Sequence, residues 1–233
     1  WRLRAGFAPV VALPAGEGDW AGLAGWLAEA WQIHGRDDLV RALLWLGAQG
    51  DRQGWDLDAT RLLESDPASR YAWLHGLEEP DQRYGRVLLA FIEQGEPLEW
   101  GAWDWLRLVD LAWAGACLGW LSDREAVDFA LHGADLVMHR YSDWSVRARS
   151  YQRGRSLFEG RNQLAAFEAD WQLLLQSPVS PWRPALQGLL APALLERSRK
   201  AIRAWRADPR HWGLALDSDK VIPLTTDIMG VGG

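Results

Sequence analysis

The chain has 233 residues (26.2 kDa), 48% hydrophobic and 24% charged, a size and balance that suit one domain with a real core. Its 25 basic against 31 acidic residues leave a formal charge of −6, the wrong sign for a general nucleic-acid binder, which must displace counterions from phosphate. The single cysteine, Cys117, excludes an internal disulfide and a cysteine-based zinc site.

Seventeen tryptophans are the most unusual feature of the composition. Each buries a large area and wants a partner for its indole N–H, so the count points to a bulky core or a rigid binding face. Residues 5–13 are apolar behind Arg2 and Arg4, but the stretch is short, carries Pro9 and lacks a cleavage signature. Residues 1–18 therefore read as an irregular arm rather than a signal peptide. The longest uncharged apolar run, residues 111–121, falls far short of the ~20 residues that span a bilayer. The expectation is a soluble, cytoplasmic protein with no membrane partner.

Apolar residues recur at helical spacing almost throughout, and alternating strand-like runs are nearly absent. Trp20, Leu23, Ala24, Leu27 and Trp31 form one helical stripe. After a break at His34-Gly35, Leu39, Leu43, Leu44 and Leu46 form the next, which Gly47 or Gly50 is suited to end. Residues 58–63 predict a weaker helix, and Pro67 suits the first position of another. Pro80 opens a segment with Tyr84, Val87, Leu88, Phe91 and Ile92, closed by Gly95 and Pro97.

Residues 102–120 are the strongest stretch, with Trp105, Leu108, Val109, Ala112, Ala116 and Trp120 at helical spacing and Gly115 and Gly119 small enough to admit a second helix. Ser122, with Glu125 three residues on, is a capping-box pattern. It starts a helix bearing Val127, Ala130, Leu131, Ala134, Val137 and Met138. Ser142 and Asp143 are alternative caps for a helix reaching roughly to Gly160, and Phe167, Trp171 and Leu174 line a further one. Residues 177–184 carry three prolines and predict a connector, after which residues 186–205 return to helix with a kink or new start at Pro192. The reading is all-α: a single globular multi-helix domain over residues 19–212, with an irregular C-terminal tail over 213–233.

Asp104, Arg107 and Asp110 lie three apart on the central predicted helix. They read either as ion pairs along the helix, closed into a buried network by Arg155 from a later helix, or as a cluster gripping a ligand phosphate or carboxylate. Asp128, His132, Asp135 and His139 share one helix face. Only neighbouring pairs can share one ion, and no His-Glu-x-x-His motif accompanies them. The stripe reads as a solvated flank, and neither metal nor cofactor is expected. Arg147, Arg149, Arg153, Arg155 and Arg161, interleaved with Tyr151 and Phe158, read mostly as helix surface with one or two inward salt bridges. No nucleophile elbow, phosphate-cradling loop or dinucleotide fingerprint is present, and His34, His75 and His211 stand singly, so no catalytic residue is assigned.

Three segments carry a family resemblance. The first is Ala30-Trp31-Gln32-Ile33 followed by Arg36-Asp37-Asp38-Leu39 and Leu43-Leu44-Trp45-Leu46. The second runs from Ala102-Trp103-Asp104-Trp105-Leu106-Arg107 through Leu111-Ala112-Trp113-Ala114-Gly115 to Gly119-Trp120-Leu121-Ser122-Asp123-Arg124-Glu125-Ala126. The third is Tyr141-Ser142-Asp143-Trp144 with Tyr151-Gln152-Arg153-Gly154-Arg155. In this order, over about residues 20–175, the chain resembles a bacterial family known as domain of unknown function 1266. It departs from that pattern in having Gln32 where a Gly usually follows the Trp. The resemblance implies a helical fold and no established activity. Some proteins of this look are encoded beside secreted antibacterial toxins, which implies immunity proteins that bind and neutralise a toxin.

Two classes of function stay open. The first is a non-catalytic binding protein whose acidic surface steers onto a basic protein partner, such as a toxin with nuclease activity. Its candidate contacts are Glu78, Glu79 and Asp81, then Glu93, Glu96 and Glu99, and also Asp56 with Asp58. The second is an enzyme or small-ligand binder with a polar pocket built from Trp103, Asp104, Arg107 and Arg155, with Asp110, Trp144 and Tyr151 beside them.

Overall fold

A computed structural model describes residues 20–176, 192–208 and 210. The expectations for the N-terminal arm, the 177–184 connector, His211 and the C-terminal tail lie outside the described residues. Among those described, every regular element is helical. The order is α1 (Trp20–Trp31), α2 (Arg36–Ala48), α3 (Gly50–Leu63), α4 (Pro67–Gly76), α5 (Glu79–Glu93), α6 (Gly101–Cys117), α7 (Asp123–Arg140), α8 (Trp144–Glu159), α9 (Leu164–Gln176) and α10 (Pro192–Ala207). None of them is long and apolar enough to cross a membrane.

The all-α expectation holds, and so do several local ones. Ser122 accepts from the Glu125 backbone N–H while the Glu125 carboxylate takes the Ser122 N–H, completing the capping box. Of the two candidate caps for α8, Asp143 is the one used, accepting from Val146 N–H at 2.9 Å. Gly160 ends α8 in the left-handed conformation, and a Cβ there would also strike Arg83 of α5. Pro192 starts α10.

Helix α6 is the axis of the fold, packed by α2, α3, α7 and α8. Its burial is wider than a single stripe: Ala102, Trp103, Asp104, Arg107, Leu108, Leu111, Ala112 and Ala114 are all buried. A helix covered on several sides buries polar positions along with apolar ones, and that brings Asp104 and Arg107 inside. Close approach is made possible by small residues on both sides. A Cβ on Gly115 would meet Leu39 of α2, and one on Gly154 of α8 would lie 2.3 Å from the Trp103 Cβ.

Two apolar clusters flank this axis. Leu27, Ile33, Leu39, Leu43, Leu46, Leu108, Leu111, Phe129 and Ile202 join α1, α2, α6, α7 and α10. Ala59, Leu62, Leu74, Leu88, Phe91, Trp100 and Leu157 join α3, α4, α5 and α8. Each fully buried Leu, Ile or Phe contributes roughly 1.5–3 kcal/mol against the entropy of ordering the chain.

Two expectations are corrected. Gly50 does end α2, left-handed just past the cap residue Gln49, but α3 begins on it at once. It stands at φ +60° as the first residue of α3, which extends from there to Leu63 and so is longer than the predicted 58–63. The stripe on α7 is not a solvated flank but the docking face for α10. Arg197 pairs with Asp128, Arg199 with Asp135, and Arg206 lies 3.4 Å from His132, while only His139 of the four is exposed. The arginines that cover this face arrive some 60–70 residues later in the chain.

Candidate functional site

The sharpest polar feature begins at the N-terminus of α3, which its own cap residue, Gln49, does not cap with its side chain. Asp104 of α6 does that work from across the fold. Its carboxylate accepts from the backbone N–H of Asp51 (3.2 Å) and Arg52 (3.1 Å) and from the Arg52 guanidinium (3.0 Å). The four orphan N–H groups of a helix start need acceptors, and a carboxylate there also complements the positive end of the helix dipole. Gly50 is required for this approach, since a Cβ would lie 2.0 Å from Asp104 Oδ2. Arg52 is tied further to the Leu46 and Gly47 carbonyls, locking the α2–α3 corner. Burial pushes the Asp104 carboxyl up to about 6, with Arg52 opposing that rise, so it is ionised at neutral pH.

Arg107 sits one turn along α6. It donates to Asp51 at 2.6 Å and lies 3.6 Å from Asp104. Its guanidinium is boxed by aromatic rings, 4.2 Å from the Trp31 centroid, 4.7 Å from Trp103 and 5.2 Å from Phe158. An indole face attracts a desolvated cation by up to ~2 kcal/mol. The Trp103 indole N–H points at the same Asp51 oxygen, at 3.4 Å. Asp51, Arg52, Asp104 and Arg107 thus alternate in sign and satisfy one another.

Helix α8 covers this group with residues at i, i+3, i+4 and i+7. Tyr151 and Phe158 pack on Trp103 at 5.1 and 5.3 Å, and Gly154 lies beneath its Cβ. Arg155, 1% exposed, donates to Glu159 at 2.7 Å, within its own helix. The expected closure of Arg155 onto the Asp104–Asp110 ladder is therefore not what the structure builds. Asp110 accepts no hydrogen bond from a described residue. Burial pushes its carboxyl up to about 6, with Arg107 pulling the other way. Burial likewise raises the Tyr151 phenol, and the nearby Asp110 charge raises it further.

Trp144 stands apart from this group. It lies at the start of α8 with the Arg147 guanidinium 4.7 Å over its ring, about 16 Å along the helix from Arg155 at 1.5 Å per residue. The arginine run is more inward than expected. Arg147, Arg153 and Arg155 are buried, and Arg149 and Arg161 are exposed.

The acidic candidates divide into two sets. Asp56 accepts the Trp100 indole N–H and Asp58 the Tyr84 hydroxyl, so both serve the core. Glu96 pairs with Arg153 and Glu99 with Arg140. Glu78, Glu79, Asp81 and Glu93 are exposed. Glu79 and Asp81 line an open depression of about 560 Å³ together with Arg83, Tyr84, Phe158 and Glu159. Phe158 is 59% exposed there, although its ring also touches Trp103.

Sequence reasoning missed Asp51, Arg52, Trp31, Phe158 and Glu159 as members of these groupings. The available signal was Gly50-Asp51-Arg52, a glycine followed by an acidic first turn, which marks a helix start as well as a helix stop. No group of three or more His, Cys, Asp or Glu among the described residues is arranged to hold a metal ion.

No curated protein and no solved structure matches the chain. The family profile described as Protein of unknown function (DUF1266) matches residues 26–185. That span is more than half of the chain and takes in α2 to α9 and the whole Asp51–Arg52–Asp104–Arg107 network, and the protein belongs to that family.

Proposed function

We propose that the protein is a non-catalytic binding protein whose partner is another protein. In its sharpest form it is a cytoplasmic immunity protein that neutralises an antibacterial toxin, with a basic nuclease as the partner class. The observation that carries this reading is the depression between α5 and α8, where exposed Phe158 stands beside Glu79, Asp81 and Glu159. Glu159 is engaged by Arg155 and Arg161, but Glu79 and Asp81 against Arg83 still leave the described lining negative, which favours a basic visitor, and an exposed ring supplies a face for its arginine or lysine. The chain's net charge of −6 adds long-range attraction of the same sign. Nucleic acid and membrane surfaces, both anionic, are disfavoured by that charge.

Support also comes from the interior network. Asp104 accepts from α3, and Arg107 donates to Asp51 of α3 with its guanidinium against aromatic rings, which suits a positioning role for the depression above them. The alternative, a catalytic or small-ligand site around Trp103, Asp104, Arg107 and Arg155, draws on the desolvated Asp110 carboxyl near Tyr151.

The test is co-purification with the product of the adjacent gene, followed by rescue of cells expressing that product. Binding and protection that are lost in Phe158→Ala combined with Glu79→Arg, yet retained in Asp110→Asn, support the interface. If the protein neither binds nor protects, the toxin-neutralising reading is wrong. If protection is lost only in Asp110→Asn, the second reading replaces the first.

A further inference from the structure

Helix α10 packs mainly on α7. Its apolar share of the core is Ile202 and one side of Trp205, whose ring lies 5.9 Å from Phe129. The other ties are polar. Ser198 donates to the Asp128 carbonyl at 2.6 Å, Arg197 pairs with Asp128, and Arg199 pairs with Asp135. Both arginine side chains stay partly in solvent, 36% and 42% exposed. Helix α6, by contrast, keeps α2, α3 and α8 against it whether or not α10 is seated. An element held by few buried apolar contacts opens at lower cost than the core it covers.

His132 sits within this seam. Its Nε2 lies 3.4 Å from Arg206 Nη2, and a Cβ on Gly47 of α2 would come within 3.0 Å of the same atom. A guanidinium only donates, so the contact uses the Nε2 lone pair and needs a neutral imidazole. A proton on Nε2 replaces that acceptor with an N–H aimed at a cation. The charges facing the ring are Arg206 and Arg199 from α10, Arg52 from α3, and Asp135 on α7 itself, with Asp128 one turn back. Both carboxylates are already held, by Arg199 and Arg197. Burial first, and Arg206 next, hold the imidazole down at about 4, against about 6.5 in water. When α10 leaves, two of the three cations go with it and Asp135 is released to an imidazolium three residues away on its own helix. The undocked state binds the proton more tightly than the docked one, so docking loses stability as pH falls below about 6.5.

We propose that α10 is an acid-released strap: protonation of His132 undocks it from α7 as a unit while the rest of the helical body stays formed. Its release uncovers Phe129 between the carboxylates of Asp128 and Asp135. The device is built from other helices than the Phe158 depression and does not depend on the partner proposed for it.

The experiment is amide hydrogen exchange on the full chain from pH 7 to pH 5 at constant ionic strength, read as protection factors for α10 and for α6. Protection of the α10 amides should fall at least tenfold over that range, as one proton taken up on undocking requires, while α6 keeps its protection. His132→Gln leaves a neutral acceptor for Arg206 and takes no proton, so the dependence on pH should flatten. The slope, rather than the level of protection at pH 7, is the readout, so a weaker seat in the variant does not blur the result. His139→Gln, at the exposed position of the same helix, should leave the slope as it is. The proposal is overturned if α10 protection changes less than threefold between pH 7 and pH 5, or if the slope survives His132→Gln, which would assign it to Asp128 and Asp135. It is overturned equally if α10 and α6 lose protection together, since the whole fold would then be opening and no strap would exist.

Discussion

Between about pH 4 and pH 6 the folded and unfolded chains hold different numbers of protons at Asp110. In the folded protein burial pushes this carboxyl up to about 6, whereas an unfolded chain ionises it near 3.9. The native state binds more protons in that window, so the contribution of Asp110 to stability falls as pH rises from 4 to 6 and stays low above. Asp110→Asn removes the buried charge. It should stabilise the protein by about 1–2 kcal/mol at pH 7.5 and by almost nothing at pH 4, read from denaturant melts. His132 has the opposite sign, since burial lowers its imidazole to about 4 and stability is lost as pH falls below about 6.5. Its effect is common to parent and variant, so their difference isolates Asp110.

Gln32 is the other informative single residue. It is the only non-glycine with positive φ among the described residues, at 54°, in the turn where its N–H and that of Ile33 return to the Ala28 and Leu27 carbonyls. That conformation costs an L-residue about 1 kcal/mol or more and a glycine almost nothing. The family's usual glycine at this point therefore has a conformational reason, and this chain carries the strain instead. Gln32→Gly should raise stability by about 0.5–1 kcal/mol, the relief being offset in part by a more flexible unfolded chain. Calorimetric melting checks it.

Helices were legible where their determinants were local. Ser122 with Glu125, Asp143, Gly160, Pro67 and Pro192 each signal an end within a few residues, and the structure uses each of them. The start of α3 was not legible, because its acceptor is Asp104, some 53 positions away. The face of α7 was misjudged for the same reason, its covering arginines lying on α10. Asp104→Ala should destabilise by about 3–5 kcal/mol, because it leaves Arg52 half-buried without its carboxylate and α3 without its cap. Asp104→Asn keeps a capping oxygen and should lose roughly half as much. Faster hydrogen exchange at the Asp51 and Arg52 amides would place the damage at the start of α3.

Across the whole molecule, the fold class followed from periodicity, and so did the presence of a buried group containing Asp104 and Arg107. Its membership did not, since which arginine meets which carboxylate is decided by helix packing rather than spacing. Arg155 turns to Glu159 on its own helix, and Asp51 takes the place that Asp110 was expected to fill. The distribution of charge bears on binding at this scale. With a basic partner, the association rate should fall at least tenfold between 50 and 500 mM salt while the dissociation rate changes less. Glu79→Arg with Asp81→Arg should slow association at low salt and flatten that dependence, measured by stopped-flow mixing.

The carboxylate that closes the start of α3 also has a consequence for biosynthesis. While the nascent chain has emerged only as far as residue 100, the amides of Asp51 and Arg52 have no acceptor from residue 104, and Asp51 has no guanidinium from residue 107. The first three helices therefore cannot settle as an autonomous unit at the ribosome. They wait for the middle of the polypeptide, and a product truncated before Gly101 would be a substrate for chaperones and proteases rather than a smaller version of the fold.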